Sequence, residues 1–307
     1  MSMLMKNVAS GPALEISLEF FPAKTEQGAA KLPRIARELA TTAPAFFSVT
    51  YGAGGTTQTG TLETIQAISG ATGLQGAAHL TAVAQSKATV DAVARDYLAA
   101  GVSRIVALRG DPQNGDTTYR PHPEGYANAA DLVAGLRRIH DFDISVAAYP
   151  EVHPDSRDSA ADLDNLKSKF DAGANRAITQ FFFDADAYLR FRDAATARGI
   201  WQPILPGILP IRDLEQLRRF AAGCGAVIPD FVVRRIEAAG DSRRDRQRVA
   251  VDLAAELCQR LARHGVPGFH FYTLNQSDMV TEVCRRIDVA QTGDRIALSG
   301  TEASARA

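Results

Sequence analysis

Residues 144–182 read ISVAAYPEVHPDSRDSAADLDNLKSKFDAGANRAITQFF, and this stretch decides the fold. Two short apolar runs, Ile144–Tyr149 and Arg176–Phe182, flank the segment Ser159–Ala172, in which apolar residues recur at helical spacing. Gly173 follows that segment, as glycine often does at the end of a helix. The stretch therefore predicts a strand–helix–strand unit, the crossover that joins neighbouring parallel strands.

The same alternation recurs along nearly the whole chain. The candidate strands are Leu14–Phe21, Ala45–Tyr51, Gly76–Val83, Arg104–Leu108, Ile144–Tyr149, Arg176–Phe182, Pro203–Leu209 and Gly268–Thr273. The candidate helices are Ala29–Thr41, Thr61–Thr72, Ser86–Ala100, Asn128–His140, Ser159–Ala172, Ala185–Arg198, Leu214–Ala222 and a longer stretch around Asp245–His264. Helix ends are marked by Gly73, Gly101, Gly173 and Gly199, and helix starts by Asp184 and Asp213.

Eight such units predict an α/β protein with a closed (β/α)8 TIM barrel. The alternative, a doubly wound open sheet, is less favoured because no GxGxxG motif follows the first strand. No linker divides the chain, so we expect a single barrel domain over 14–291, a flexible N-terminus over 1–13 and a disordered tail over 292–307. The segment Pro112–Glu124 predicts a long loop after the fourth strand, of a length that is usually functional or disordered.

Composition excludes several classes of protein. The chain has 34 Lys and Arg against 35 Asp and Glu among 307 residues, so it lacks the basic excess of a nucleic-acid-binding protein. No 18-residue apolar run and no signal-peptide pattern occur, which predicts a cytoplasmic protein with no membrane partner. Cys224, Cys258 and Cys284 are odd in number and widely spaced, and His79 and His153 lack metal-motif spacing, so neither disulfides nor a metal are expected.

In a (β/α)8 barrel the active site lies at the C-terminal ends of the strands. Seven of the eight candidate strands carry polar side chains there: Glu19, Thr50, Tyr51, His79, Thr81, Arg109, Asp111, Tyr149, His153, Gln180, Tyr272 and Asn275. Glu19 interrupts an apolar strand, so it is either paired with a Lys or Arg or is a protonated carboxyl group that donates a proton. The residues alone predict a polar, aromatic-rich barrel mouth without assigning a mechanism.

Other candidates have structural alternatives. Asp111 either caps the long loop, pairs with Arg109 or acts at a site, and Gln180 is either a core amide or a hydrogen-bonding group for a heterocycle. The runs Phe46-Phe47 and Phe181-Phe182-Phe183 favour core packing over cofactor stacking. The spacing of Asp162, Asn165 and Lys169 places these three residues on one helix face, which by itself is typical of a solvated face.

Several longer motifs carry a family resemblance. They are Ser17-Leu-Glu-Phe-Phe-Pro-Ala-Lys-Thr25, Ser48-Val-Thr-Tyr-Gly-Ala-Gly-Gly-Thr56, His79-Leu-Thr81, Ile105-Val-Ala-Leu-Arg-Gly-Asp111, Ala148-Tyr-Pro-Glu-Val-His-Pro154, Asp171-Ala-Gly-Ala-Asn-Arg-Ala-Ile-Thr-Gln-Phe-Phe-Phe-Asp184, Pro206-Gly-Ile-Leu-Pro210 and Phe269-His-Phe-Tyr-Thr-Leu-Asn275. In this order and spacing the chain resembles methylenetetrahydrofolate reductases of the bacterial type, which consist of the catalytic barrel alone.

The resemblance implies a function and cofactors. The family reduces 5,10-methylenetetrahydrofolate to 5-methyltetrahydrofolate in methionine supply, with bound FAD and with NADH or NADPH as the donor in a ping-pong reaction. It also implies a homo-oligomer, either a dimer or a tetramer. Glu19 is implied as the general acid that opens the folate ring to an iminium, and Asp111 as a charge near flavin and pterin. Implied substrate contacts are Gln180, Gln216, Phe220 and Gln276, and implied FAD contacts are Thr50, His79, Arg109, Gly110, Asp111, Ala129, Tyr149, His153, Asp162, Asn165 and Lys169.

The chain departs from the family pattern at three places. Ser168 stands where relatives often carry a basic residue, so Lys169 and Lys167 are expected to hold the phosphates. Gln276 stands where many relatives carry an arginine that contacts the folate carboxylate. A tyrosine expected before the fourth helix appears as Asn128 or is shifted to Tyr126.

Alternative functions within the same architecture are a folate-binding relative that is non-catalytic or flavin-independent, and another flavin barrel such as proline dehydrogenase. The presence of Glu19, Asp111 and Gln180 argues against a relative that has lost turnover. Phe220 together with Gln180 favours a stacked pterin substrate over a small amino acid.

Overall fold

The computed structural model describes residues 14–51, 58–112 and 119–287. Within these residues eight parallel strands pair in chain order and close into a barrel, because the first strand pairs with the eighth. The strands are β1 Glu15–Phe20, β2 Phe46–Val49, β3 Gly76–Thr81, β4 Arg104–Leu108, β5 Asp143–Ala148, β6 Arg176–Phe181, β7 Ile204–Ile208 and β8 Gly268–Tyr272. The predicted barrel is confirmed, and each strand lies within one or two residues of its predicted bounds.

Helices connect successive strands around the barrel. They are α1 Glu26–Ala40, α2 Gln58–Thr72, α3 Lys87–Ala99, α4 Ala129–Ile139, α5 Ser159–Asp171, α6 Ala185–Ala197, α7 Leu214–Cys224, α8 Asp230–Ala238 and α9 Arg243–Arg263, with a further helix over 278–287. The predicted helix ends are confirmed, since Gly73, Gly101, Gly173 and Gly199 all have positive φ. Asp184 and Asp213 accept a backbone hydrogen bond at the starts of α6 and α7.

Two helices were not predicted from the sequence. Helix α8 is only nine residues long and buries just Val232 and Ile236, so its periodic signal is short. Pro229 occupies its N-cap position and makes no side-chain capping bond, which removes the usual start signal. The helix over 278–287 follows β8 directly and buries Met279, Val280 and Val283 among other residues.

Alternation along the strands separates an apolar outer face from a polar inner wall. Leu18, Phe269 and Phe271 belong to the large core between strands and helices. The other face of the same strands carries polar side chains, and those that are fully or almost fully buried include Ser17, Ser48, His79, Ser145 and His270. A buried polar wall needs internal partners, so the contacts within it are specific.

Phe46 fills the N-terminal end of the barrel. The guanidinium groups of Arg104 and Arg176 lie 5.1 and 5.5 Å from the centre of its ring. Both guanidiniums also bind the Asp143 carboxylate, at 2.7 and 2.6 Å. Because the first residues of three strands meet over this ring, the accessible end of the barrel is the opposite one.

The phenylalanine runs pack as predicted. Phe46, Phe47 and Phe182 are almost fully buried, and Phe181 lies in a second core cluster with α7 and α8. The predicted termini 1–13 and 292–307 lie outside the described residues, as do 113–118 of the predicted loop Pro112–Glu124. No helix among the described residues is long and apolar enough to cross a membrane.

Candidate active site

Glu19 lies on the inner wall near the C-terminal end of β1, and its side chain is 19% exposed. Its Oε2 atom is 3.4 Å from His79 Nε2 on β3 and 3.6 Å from His270 Nε2 on β8. No Lys or Arg of the described ranges lies within ion-pair distance of this carboxyl group. Within the described residues, the alternative in which Glu19 pairs with a Lys or Arg is therefore wrong. The carboxyl group instead lies beside the imidazole rings of His79 and His270.

His79 presents a neutral ring to Glu19. Burial lowers the pKa of His79 below its usual value of 6.5, and this effect outweighs the opposing attraction of the Glu19 charge. Its Nε2 atom also lies 3.3 Å from the Ser48 hydroxyl. Near pH 7 the pair Glu19–His79 is thus a polar contact and not a salt bridge.

Lys169 is a buried cation on α5. Only 6% of the residue is exposed, so the interpretation of this helix face as solvated is wrong at Lys169. Its ammonium group donates to the Ala147 carbonyl at 2.9 Å, and no carboxylate among the described residues lies within ion-pair distance. Burial lowers its pKa from 10.5 to about 8, Asp162 opposes this shift, and Arg109 adds to it. A buried ammonium of this kind fits an anionic ligand.

Arg109 leaves the end of β4 close to the same region. Its guanidinium donates to Asp155 at 2.7 Å and lies 4.6 Å from the centre of the Tyr119 ring. Arg109 therefore pairs with Asp155, and the alternative in which it pairs with Asp111 is not what the structure shows. Because Arg109 also lowers the pKa of Lys169, the two cations share one electrostatic environment.

The loop after β5 joins this cationic region. The Tyr149 and His153 rings meet edge to face at 4.5 Å, and Asp162 accepts a 2.7 Å bond from the backbone N–H of His153. Burial raises the pKa of Tyr149 to about 12, with a further contribution from the exposed Asp111. Asp111 is therefore close enough to act on Tyr149, and its carboxylate has no side-chain partner among the described residues.

The remaining predicted flavin contacts lie on four different elements. Thr50 follows β2 and is half-buried, while Ala129 is the first residue of α4 and Asn165 is exposed on α5. Gly110 has φ +85, and a Cβ atom there would lie 2.5 Å from Val83. Only glycine fits this turn, where the backbone passes close to β3.

Thr81 lies beside Gly110, and its role could not be assigned from the sequence. The Thr81 hydroxyl is buried and has no hydrogen-bond partner among the described residues. A Cβ atom on Gly110 would lie 3.1 Å from Thr81 Cβ, so the hydroxyl sits next to this turn. An unsatisfied buried hydroxyl at a barrel mouth is a candidate partner for a bound heterocycle.

Gln180 and Tyr272 line the opposite side of the mouth. Gln180 is half-buried, and its side-chain oxygen accepts a local bond from the Phe181 N–H at 3.0 Å, its one hydrogen bond within the described ranges. The Tyr272 hydroxyl donates to the Thr179 carbonyl at 2.8 Å. This contact requires Gly207, since a Cβ there would lie 2.1 Å from the Thr179 oxygen and 2.8 Å from the Tyr272 ring.

The other predicted substrate contacts are Gln216 and Phe220 on α7 and Gln276 in the turn after β8. Gln216 is half-buried on α7, and Phe220, one turn later, is 36% exposed. Cys224, a further turn along, raises the pKa of both Tyr149 and Tyr272, so the C-terminal end of α7 reaches the barrel mouth. Gln276 is half-buried in a turn after β8 and donates its backbone N–H to the Thr273 carbonyl.

The departures from the family pattern also have structural accounts. Asn128 caps α4 by accepting from the Asp131 N–H, and Tyr126 is buried with its hydroxyl on Asp91 at 2.6 Å. Asn128 has no ring, and the ring of Tyr126 is buried. Lys167 pairs with Asp171 on the outer face of α5 at 2.5 Å, so its ammonium group already has a carboxylate partner.

His270 and its neighbour Ser17 were missed. His270 lies in the apolar stretch GFHFY of β8, and its isolated polar character is the same signal that singled out Glu19. The side chain is fully buried, and its contact with Glu19 exists because β8 closes the barrel against β1.

Most of the chain is similar in sequence to known proteins. The family model for methylenetetrahydrofolate reductase matches residues 4–288. The chain belongs to the methylenetetrahydrofolate reductase family. The 5,10-methylenetetrahydrofolate reductase of Pectobacterium carotovorum is 43% identical over 277 residues, covering 90% of this chain and 91% of that relative. The enzyme of the same name from Escherichia coli K12 is 43% identical over 276 residues, with 90% and 91% covered. The resemblance is thus confirmed, and the chain is an enzyme of this reductase family.

A solved structure supports the fold independently. It is an uncharacterized protein from Clostridium thermocellum, described as binding two copies of 5-methyl-5,6,7,8-tetrahydrofolic acid. The TM-score is 0.64 at 12% identity, and the match covers 92% of this chain and 96% of that one. At this identity the likeness shows a shared barrel and no more.

Proposed function

We propose that this chain reduces 5,10-methylenetetrahydrofolate to 5-methyltetrahydrofolate, with bound FAD and with NADH or NADPH as the electron donor. Membership in the reductase family supports the reaction class. The observation that carries the proposal is the Glu19 carboxyl group, which faces the open barrel between two imidazoles, with no Lys or Arg of the described chain to hold it as an ion pair. That environment suits a proton donor.

The residues at the mouth fit FAD. Arg109 and the buried Lys169 are two cations for a diphosphate, and the unpartnered Thr81 hydroxyl beside Gly110 is a donor or acceptor for a ring. When bound, FAD supplies hydride transfer between the nicotinamide donor and the folate. The residues proposed to hold it are Thr50, His79, Arg109, Gly110, Asp111, Ala129, Tyr149, His153, Asp162, Asn165 and Lys169.

Glu19 is the proposed general acid. Its O–H bond breaks as an N–H bond forms on one nitrogen of the folate's five-membered ring. The bond between that nitrogen and the bridging carbon then breaks, its electron pair stays on the protonated nitrogen, and the lone pair of the other ring nitrogen forms the iminium that accepts hydride. The carboxylate that remains keeps the electron pair and is reprotonated from water before the next turnover. Asp111, an exposed carboxylate beside Tyr149, stabilises the positive charge of the iminium.

Four side chains are proposed to position the folate. Phe220 is partly exposed on α7 and stacks on the aminobenzoyl ring, with Gln216 one turn before it. Gln180 hydrogen-bonds the pterin or the nicotinamide amide through its side-chain N–H groups. Gln276 is uncharged, so it gives a substrate carboxylate a neutral hydrogen bond where an arginine would give an ion pair.

The order of binding and the setting of the reaction are part of the proposal. The sequence has no GxGxxG motif for a separate nicotinamide site, so the donor and the folate are proposed to use one site in turn, as in a ping-pong reaction. The methylated product supplies methionine synthesis in the cytoplasm. The assembly is proposed to be a homo-dimer or homo-tetramer.

The test is an absorbance spectrum of the purified protein, followed anaerobically by NADH and then by methylenetetrahydrofolate. A flavin spectrum that bleaches with NADH and returns with the folate is the expected result. A protein that takes up no flavin even when FAD is supplied contradicts the cofactor assignment and points to a flavin-independent or binding relative. A flavin that proline bleaches and the folate does not restore points to a barrel of the proline dehydrogenase kind.

A further inference from the structure

His270 is a buried titratable residue that the proposed reaction does not yet use. It lies on the inner face of β8, opposite Ser17 of β1 in the strand register, and none of its surface is exposed. Its Nδ1 atom is 2.8 Å from the Ser17 hydroxyl. Its Nε2 atom has no hydrogen-bond partner in the described chain and lies 3.6 Å from Glu19 Oε2. A buried ring nitrogen without a partner lowers the stability of the fold, so its presence points to a role in binding or catalysis.

The Ser17 hydroxyl determines which nitrogen of His270 carries the hydrogen. Ser17 Oγ is 3.4 Å from the Phe269 carbonyl, which is long for a hydroxyl donor, and 2.8 Å from His270 Nδ1, which is an ordinary distance. The hydroxyl hydrogen therefore points at Nδ1, and the ring carries its own hydrogen on Nε2. That N–H faces Glu19 Oε2.

An N–H aimed at one oxygen of a carboxyl group selects the other oxygen for the proton. With His270 Nε2–H on Oε2, the acidic hydrogen of Glu19 belongs on Oε1. The present separation of 3.6 Å exceeds a hydrogen bond, but catalytic contacts of this type shorten when the substrate complex forms. After proton transfer the same N–H donates to the carboxylate that remains.

The other titratable groups around Glu19 supply no competing charge. They are His79 on β3, whose Nε2 atom lies 3.4 Å from the same Glu19 oxygen, and Tyr272 on β8. Burial lowers the pKa of His79 and raises that of Tyr272 well above its usual value, so both are neutral near pH 7. His270 is thus the neighbour of Glu19, among the described residues, whose N–H direction follows from a hydrogen bond, the one between its Nδ1 atom and Ser17.

We propose that Ser17 and His270 are positioning residues, which hold Glu19 with Oε2 turned to His270 and with its transferable proton on Oε1. The inference rests on the proposed role of Glu19 as the general acid. Two observations support it: the hydrogen bond between Ser17 and His270, and the His270 Nε2 atom, which has no hydrogen-bond partner among the described residues.

Two substitutions at position 270 separate this role from simple packing. His270→Phe keeps a ring of similar size and removes the N–H, whereas His270→Gln places an amide N–H near the original Nε2 position. Flavin-loaded protein is reduced with NADH, and the rate of reoxidation by methylenetetrahydrofolate is measured against pH. We expect His270→Phe to slow reoxidation about tenfold or more and to shift the alkaline limb of the profile upward by about one pH unit, because the carboxylate loses a donor. His270→Gln restores most of both.

Ser17→Ala is the second variant and does not alter the ring itself. Without the hydroxyl the His270 ring is free to carry its hydrogen on either nitrogen, so we expect a smaller slowing of reoxidation and an upward shift of the alkaline limb in the same direction. Ser145→Ala removes another buried inner-wall hydroxyl and serves as the matched control with an unchanged profile.

The outcomes are distinguishable from failure of the proposed function. If the wild-type protein bleaches with NADH and is not reoxidised by the folate, the proposed function itself is wrong. If the wild-type protein completes both steps, the inference is overturned when the alkaline limb of the pH profile does not move in His270→Phe and Ser17→Ala. Glutamine at 270 performing no better than phenylalanine also overturns it. Should His270→Phe fail to fold, Ser17→Ala and His270→Gln still decide the matter.

Discussion

Replacement of Lys169 by methionine is expected to stabilise the flavin-free protein and to weaken its binding of FAD. Burial lowers the pKa of Lys169 from 10.5 to about 8, a fall of about 2.5. At about 1.4 kcal/mol for each pKa unit, the buried charge destabilises the flavin-free fold by about 3 kcal/mol at pH 7. Loss of the 2.9 Å bond to the Ala147 carbonyl offsets about 1 kcal/mol, which leaves a net gain of about 2 kcal/mol.

The gain depends on pH in a defined direction. Because the folded pKa is lower than the unfolded one, the cost of the charge is fully present below about pH 8 and disappears as the pH rises toward 10.5. The stability of the variant and the wild type should therefore converge, with a difference below about 1 kcal/mol at pH 10. FAD affinity should fall about tenfold or more at pH 7, because a charged contact to phosphate is lost.

The assay is urea unfolding of flavin-free protein at pH 7 and pH 10, with a separate FAD titration. Lys167→Met is the matched control on the same helix. Its ammonium group pairs with Asp171 on the exposed face, so its loss should change stability by no more than about 0.5 kcal/mol and leave FAD affinity unchanged. A Lys169→Met protein that is less stable at both pH values, or one that binds FAD as tightly as the wild type, would refute the reasoning.

Three further substitutions test other parts of the mouth. Asp111→Asn should slow folate-driven reoxidation more than it weakens flavin binding, and a colourless purified variant would count against that role. Phe220→Ala should raise KM for the folate about tenfold with little effect on flavin reduction by NADH, since a stacking surface is lost, and an unchanged KM would contradict the assignment. Gly207→Ala should lower stability by about 1–3 kcal/mol in thermal unfolding, because its Cβ would meet the Thr179 oxygen at 2.1 Å. Gly70→Ala, in an open helical position, is the control and should be neutral or stabilising.

The barrel could be predicted because its strands and helices carry local signals. Apolar runs of strand length recur between helical segments, and glycines with positive φ end α2, α3, α5 and α6. Helix α8 gave no such signal, since it buries two residues and begins after Pro229. A short helix that packs through Val232 and Ile236 depends on tertiary contacts, which periodicity does not reveal.

Individual site residues could be predicted where a residue conflicts with its local pattern. Glu19 stands out as a carboxyl group in an apolar strand, and family motifs supply the rest of the set. Contacts between distant segments could not be predicted. The approach of His270 to Glu19 spans nearly the whole chain and arises from barrel closure. Lys169 looks like one of several polar residues on a helix face, and its burial follows from the packing of α5 against β5.

The central claim is that Glu19 donates the proton in folate reduction, and the Glu19→Gln variant tests it most directly. Glutamine keeps the shape of the side chain and removes the acidic proton. In anaerobic stopped-flow experiments, we expect NADH to bleach the flavin of the variant at close to the wild-type rate and methylenetetrahydrofolate to fail to restore its colour. Restoration at the wild-type rate, or loss of both half-reactions in a folded, flavin-loaded variant, would contradict the account.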